Sequence, residues 1–349
     1  MYPLREPWAI KAMIVTPVMV LIISFLWLTS TRYYSERPGY HDAVSHDDFV
    51  SQKNHHNASS TSKHAFATFL SGYNGTDSEK YFTAVKLLTY QLIHDPLTRA
   101  RDGTPFLILV TRDVEQEKQD ILRHGGATVV LVDDVQREWI HPKTSRWDKV
   151  LAKLNLWTLT EYEKVVFVDA DTVILHPMDE IFSIPATEIR DTLPASPNTS
   201  HPVINMSVTP PQKYMIAGIH DHWMEENKRP PENETFYELD HYMNAGFFVV
   251  SPSKEMFEYY LSLLDQPDAF NMDYPEQNLL NFAHRTDGQM PWQDLGTYWN
   301  AITQLNPSYD SDVRSLHHKW WVELSVKSDE DFVQDAIQRM NSMEENLAV

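Results

Sequence analysis

The sequence predicts an α/β fold with a mostly parallel sheet and helices on both faces. Three observations predict it. Short, continuous apolar runs alternate with helical periodicity from about residue 64 onward. Such runs suit strands buried on both faces of a parallel sheet. The run Lys164–Val168 ends on Asp169-Ala170-Asp171, and ligands of open α/β sheets sit beyond the carboxyl ends of the strands. Two carboxylates one small residue apart form a natural cradle for a hard divalent cation that keeps positions open for substrate phosphates.

The elements follow in order. Ala65 to Leu70 reads as a first strand, ending at Ser71-Gly72. Asp77 can cap a helix in which Phe82, Val85, Leu88 and Leu92 share a face. Phe106 to Val110 is a second strand, followed by a polar helix that stops at Gly125-Gly126, and Thr128 to Val132 is a third. Trp147 to Tyr162 reads as a helix with Val150, Leu151, Leu154 and Trp157 inward, and it leads into the Asp169/Asp171 strand. Residues 185 to 240, rich in Pro, Asn and Glu, read as long loops. Asn244 to Val250 resumes a strand, Glu255 to Leu264 is helical, and another helix starts at Pro275. Residues 326–349 read as an acidic amphipathic tail, a solvated helix. The acidic triplets at Asp310/Asp312 and Asp329/Asp331 follow no apolar strand, so context separates Asp169/Asp171 from chance. No Gly-x-Gly-x-x-Gly follows the first strand, which argues against dinucleotide-style capture of a pyrophosphate.

Composition narrows the function. A net charge of −20 argues against a nucleic-acid partner. The absence of cysteine excludes thiol catalysis, thiolate metal sites and disulfides. A hydrophobic content of 42% supports a substantial core. Ala12 to Leu28 is apolar apart from Thr16, Pro17 and Ser24, which is the lower limit for a bilayer span. Trp8 and Trp27 lie near its ends, where amphipathic rings favour the interface. Sequons at Asn57, Asn74, Asn198, Asn205 and Asn233 all follow the span, so the expected orientation is single-pass type II with a glycosylated luminal body. The expected organisation is a cytosolic tail at 1–11, a signal anchor at 12–30, a flexible stem at 31–62, one catalytic domain at 63–325 and the acidic tail at 326–349.

The segment from Leu151 to Leu175, with Lys153 and Asp169-Ala-Asp171, resembles the core of the glycogenin-like family 8 glycosyltransferases. Met243-Asn-Ala-Gly-Phe-Phe-Val-Val resembles the family's Asn-Ser-Gly strand, and Asp273-Tyr-Pro-Glu-Gln-Asn its Asp-Gly-Gly-Asp-Gln segment. The blocks occur in family order over residues 64 to 325, and the chain resembles a fungal-type, membrane-anchored member of the family. The resemblance implies a GT-A fold with a Rossmann-like sheet, and retaining transfer from a UDP-sugar with Mn2+ (or Mg2+). It implies metal ligation by Asp169, Asp171 and His317, the last chosen over His318 in Leu316-His-His-Lys-Trp-Trp. It implies donor binding by Lys153, Asn244 and Lys319, and catalytic roles for Asp273, Glu276 and Gln277. Glu276 stands where the family usually has Asp, and the His317-to-Lys319 spacing is shorter than in glycogenin. The chemistry is coherent: imidazole with carboxylates suits manganese, and a dication with a lysine ammonium stabilises charge developing on a leaving diphosphate. The expected partners are a UDP-sugar, a glycan acceptor on protein or lipid, and the Golgi membrane. The alternative is a catalytically inactive, membrane-anchored glycan-binding or scaffold protein with the same fold.

Overall fold

Seven strands form the central sheet. The structure, a computed structural model, describes residues 62–72, 75–101, 103–195, 209–221, 241–267, 269–301, 313–321 and 327–348. All of these fall in the unit Ser59–Val349. The expected cytosolic tail, anchor, stem up to residue 61 and all five sequon asparagines lie outside the described residues. Among the described residues no helix is long and apolar enough to cross a membrane.

Strand β1 (His64–Leu70) sits mid-sheet, parallel to β2 (Phe106–Thr111) on one side and β4 (Lys164–Val168) on the other. Strand β3 (Thr128–Val132) extends the parallel run beyond β2. Strand β9 (Met243–Val250) enters antiparallel between β4 and β8 (Ile216–His220). The short β10 (Gln293–Asp294) pairs parallel with β8 at the edge. Alternate residues feed opposite layers, as the pleat requires. Ala65, Ala67, Val165, Phe167 and Phe248 face one cluster, and Phe66, Val166, Val168, Phe247 and Val249 face the other. Helices α1 (Ser78–Ile93) and α2 (Gln116–His124) cover the second face. Helices α3 (Lys254–Leu264) and α4 (Pro275–Ala283) cover the first.

Three segments depart from the sequence reading. The helix expected at Trp147–Tyr162 is shorter and more tightly wound, a 3-10 turn at Ser145–Trp147 and a 3-10 helix at Val150–Thr158. Three residues per turn stack Leu151, Leu154 and Trp157 in one row and Val150, Lys153 and Leu156 in another, and all six are buried. The region expected to be loops at 185–240 contains β8, between β9 and β10 in the sheet. Its Ile216-Ala-Gly-Ile core is buried, and burial in the sheet overrides the breaker-rich surroundings. Within the same region β6 (Arg190–Asp191) pairs with β7 (Lys213–Tyr214). The C-terminal segment is a helix as expected, α5 (Lys327–Ala348), but one face is not solvated. Val333, Ala336 and Met340 pack with Leu87, Tyr90 and Val173. Arg339 reaches the fully buried carboxylate of Asp95 at 2.8 Å.

His284 locks the helical layer. Its Nε2 lies 2.6 Å from the Tyr260 hydroxyl, and its Nδ1 2.7 Å from the Met290 carbonyl. The carbonyl can only accept, so Nδ1 carries the proton and Nε2 accepts from Tyr260. Burial lowers this imidazole to about 4 from its ordinary 6.5. The stability that the neutral ring supports is therefore complete above 6.5 and lost as pH falls toward 4. Between pH 7 and pH 5, His284→Gln is expected to lose about 2 kcal/mol less unfolding free energy than the native chain. Urea titrations at the two pH values measure this, and parallel losses would show that the ring is not held neutral.

Candidate functional site

The parallel strands β1, β2, β3 and β4 all end at one edge of the sheet, and antiparallel β9 begins there. This places the residues after β4, the first residues of β9 and the end of β8 in one place. Directly after β4, the Asp169 amide donates to the Gly246 carbonyl of β9 at 2.7 Å. Three residues on, β5 (Thr172–Ile174) pairs antiparallel with β11 (Ser315–His317), with His317 opposite Thr172. That register carries His317 to Asp171, and the next amide, His318, donates to the Asp171 carbonyl at 2.9 Å.

One ligand atom from each of Asp169, Asp171 and His317 lies within 4.8 Å of the others. His317 Nε2 is 3.3 Å from Asp171 Oδ1, and Lys319 Nζ is 3.0 Å from Asp171 Oδ2. Burial alone would raise the Asp171 carboxyl, but His317 and Lys319 outweigh it and hold the group well below the carboxylate range. Burial likewise works against the cations on His317 and Lys319, yet Asp171 holds both above their ordinary values. Gly246 makes room for the group. A Cβ there would come within 2.3 Å of His317 Cε1 and 3.0 Å of Asp169 Oδ2, so only glycine fits.

Lys153 lies on the other side of Asp169. Its Nζ is 2.8 Å from Asp169 Oδ1 and 3.0 Å from Glu276 Oε1, and 4.9 Å above the Phe167 ring. It is 6% exposed. Burial opposes its charge, but the two carboxylates hold the ammonium above its ordinary value. Glu276 lies in the first turn of α4, behind Pro275, where the helix dipole favours a carboxylate. The Asp-to-Glu substitution therefore keeps its carboxylate in the cluster.

Asn244 and Gln277 join through a residue that the sequence reading missed. Asp221, after β8 and 5% exposed, accepts from Asn244 Nδ2 at 3.3 Å and Gln277 Nε2 at 2.8 Å through Oδ2. Its Oδ1 is buried with no hydrogen-bond partner among the described residues. Gln277 also accepts from the Ala245 amide, and Asn244 from the Gly246 amide, which ties this network to the glycine of the cation cluster. No motif marked Asp221, because it follows the strand hidden in the expected loops. Arg146 was also missed. It is half-buried over the Trp147 ring, its Nε is buried without a partner among the described residues, and its charge acts on Lys319 and Tyr81. Asp273 is not brought in: it is exposed ahead of α4, and its carboxylate makes no ion pair with the cluster among the described residues.

The donor set fits a divalent cation. Two carboxylates and an imidazole converge, and Gly246 leaves space that any side chain would fill. Cations on Lys153, Lys319 and Arg146 surround it, which suits a polyanionic ligand.

The glycosyl transferase family 8 profile matches residues 105–336. An uncharacterized protein of Schizosaccharomyces pombe is 26% identical over 70% of this chain and 70% of its own length. Galactinol synthase 4 of Arabidopsis thaliana is 26% identical over 67% of this chain and 63% of its own. The apo structure of the WbbM bifunctional glycosyltransferase superposes with a TM-score of 0.50 at 16% identity over 82% of this chain, which shares the fold. This chain spans about half of that structure, 52%.

Replacing Lys153 with Met leaves the buried Glu276 and the half-buried Asp169 without their shared cation. The loss is expected to cost about 3 kcal/mol in urea unfolding, with partial recovery when Glu276→Gln is added. A single variant as stable as the native chain would show that the triad is not a structural tie.

Proposed function

Because the chain belongs to glycosyl transferase family 8, we propose that this glycosyltransferase is metal-dependent and retaining. It moves a hexose or N-acetylhexosamine from a UDP-sugar to a glycan acceptor. The observation that carries this reading is the convergence of Asp169, Asp171 and His317 beside the Lys319 ammonium. Asp169, Asp171 and His317 would hold Mn2+ (or Mg2+), which supplies Lewis-acid stabilisation to a leaving diphosphate.

The chain's own residues supply the rest. Lys319 presents an ammonium to the phosphates, and Arg146 adds a guanidinium whose Nε still lacks a partner. Both favour charge that grows as the sugar–phosphate bond breaks. On the sugar side, Asp221 Oδ1 is free to accept from a hydroxyl, while Asn244 and Gln277 hold its other oxygen in place. Lys153 holds the Glu276 side chain turned inward at 3.0 Å, so a carboxyl group faces a sugar centre that becomes cationic. Among the expected catalytic residues, this geometry favours Glu276 and Gln277 over the exposed Asp273. The apolar run Ala12 to Leu28 and the sequons that follow it support the reading of a type II membrane protein with a luminal body, for which the Golgi is the proposed location.

The test uses the full chain with a panel of UDP-hexoses and UDP-N-acetylhexosamines, assaying UDP release with Mn2+ or with EDTA. Turnover of one donor is expected only with metal, with Asp171→Asn slowing it about 100-fold or more. Gly246→Ala is expected to weaken Mn2+ binding at least about tenfold by crowding His317, as read by electron paramagnetic resonance. Equal turnover in EDTA, or unchanged Mn2+ affinity in both variants, would sink the metal-dependent reading.

A further inference from the structure

Two strands of three residues each hold the cation cluster together. Strand β5 follows Asp171 directly, and β11 ends on His317. They form a two-stranded sheet of their own, apart from the central seven strands. So short a pair is weak by itself, and little in it specifies the register. A slip of one residue flips every side chain to the opposite face. Such a slip would turn His317 away from Asp171.

The far edge of β11 is covered by backbone. Ala301 donates to the Ser315 carbonyl and accepts from the His317 amide, both at 2.9 Å. The far edge of β5 has no strand beside it among the described residues. A side chain stands there instead. Gln91 of α1 is fully buried, its Nε2 donates to the Ile174 carbonyl at 2.8 Å, and its Oε1 accepts from the Ile174 amide at 3.0 Å. One carboxamide thus makes the two bonds that a residue of a neighbouring strand would make. Ile174 lies opposite Ser315, at a position of the antiparallel ladder whose amide and carbonyl point outward. Without Gln91 both groups would be buried and unsatisfied. The carboxamide is itself anchored. Leu87 and Tyr90 of α1 pack with Val173, and the Thr98 hydroxyl donates to the Gln91 backbone carbonyl at 2.8 Å.

We propose that Gln91 is a positioning residue for the cation site: it fixes β5 in register with β11 and so sets His317 against Asp171. This role rests on the metal-dependent reading above, because it is defined by the ion that His317 would hold. The Gln91 side chain bonds Ile174 and none of Asp169, Asp171 or His317 among the described residues. Its effect therefore travels along β5 to Asp171 and across the ladder to His317.

The full chain titrated with Mn2+ alone provides the test, with free ion read by electron paramagnetic resonance and the fold checked by circular dichroism. Gln91→Met keeps a side chain of similar length and removes both hydrogen bonds. In the folded chain it is expected to weaken Mn2+ binding at least about tenfold. Gln91→Asn, one methylene too short to span both groups, is expected to do the same and serves if the Met variant does not fold. Thr98→Val is the control for a general loosening of α1, since it removes a buried hydrogen bond to Gln91 but leaves the carboxamide on β5. It is expected to bind Mn2+ within about twofold of the native chain. Native affinity in the folded Gln91 variant, or an equal loss in Thr98→Val, would overturn the positioning role and leave the metal-dependent reading standing. No Mn2+ bound by the native chain would overturn both.

Discussion

A buried ammonium between two carboxylates organises this structure. Lys153 and Glu276 are buried, and the Asp169 side chain between Lys153 and the cation cluster is half-buried. Each charge is tolerable only because the others are present. The ion triad thereby pins three elements distant in sequence: the tight helix before β4, the end of β4 and the first turn of α4. Pinning those elements sets the direction of both Asp169 oxygens. Oδ1 is committed to Lys153, while Oδ2 lies toward Gly246 and His317.

The second half of the site depends on a different constraint, close approach of backbone to side chain. Gly246 lets β9 pass against His317 and Asp169 with no intervening Cβ. The strand that brings His317 is only three residues long and would be weak alone. It is braced from outside. Trp320, just beyond it, packs with the cluster that α5 completes, and Arg339 ties α5 to the buried Asp95. A helix with an acidic solvent face thus supports the geometry of residues that it does not touch.

Much of this was readable from the amino-acid order, for physical reasons. Phe106–Val110 and Lys164–Val168 are buried on both faces, so their apolar runs are unbroken and mark strands. The position of Asp169 and Asp171 followed from the edge at which parallel strands end. The register of β11 sets His317 opposite Thr172 and brings its imidazole to 3.3 Å from Asp171, a placement that no spacing argument contains. Other features were illegible. The strand Ile216–His220 is short and framed by Pro-rich and polar stretches, and so Asp221 was hidden with it. Asp273 matched a motif by spacing, but spacing does not fix direction. Pro275 starts the helix after it and turns Glu276 inward, leaving Asp273 exposed. Arg146 lacked any signal in the sequence, because its meaning lies in a missing partner, and partners are visible only in three dimensions.

The central claim is that one edge of the sheet builds a cation site from residues far apart in the chain. Anomalous diffraction at the manganese edge, from crystals of the protein grown with Mn2+ and UDP, tests it most directly. The account predicts a single strong peak within ligand distance of Asp169, Asp171 and His317, with the diphosphate extending toward Lys319 and Arg146. UDP bound with no manganese peak at these three residues, or a peak held by other side chains, would contradict it.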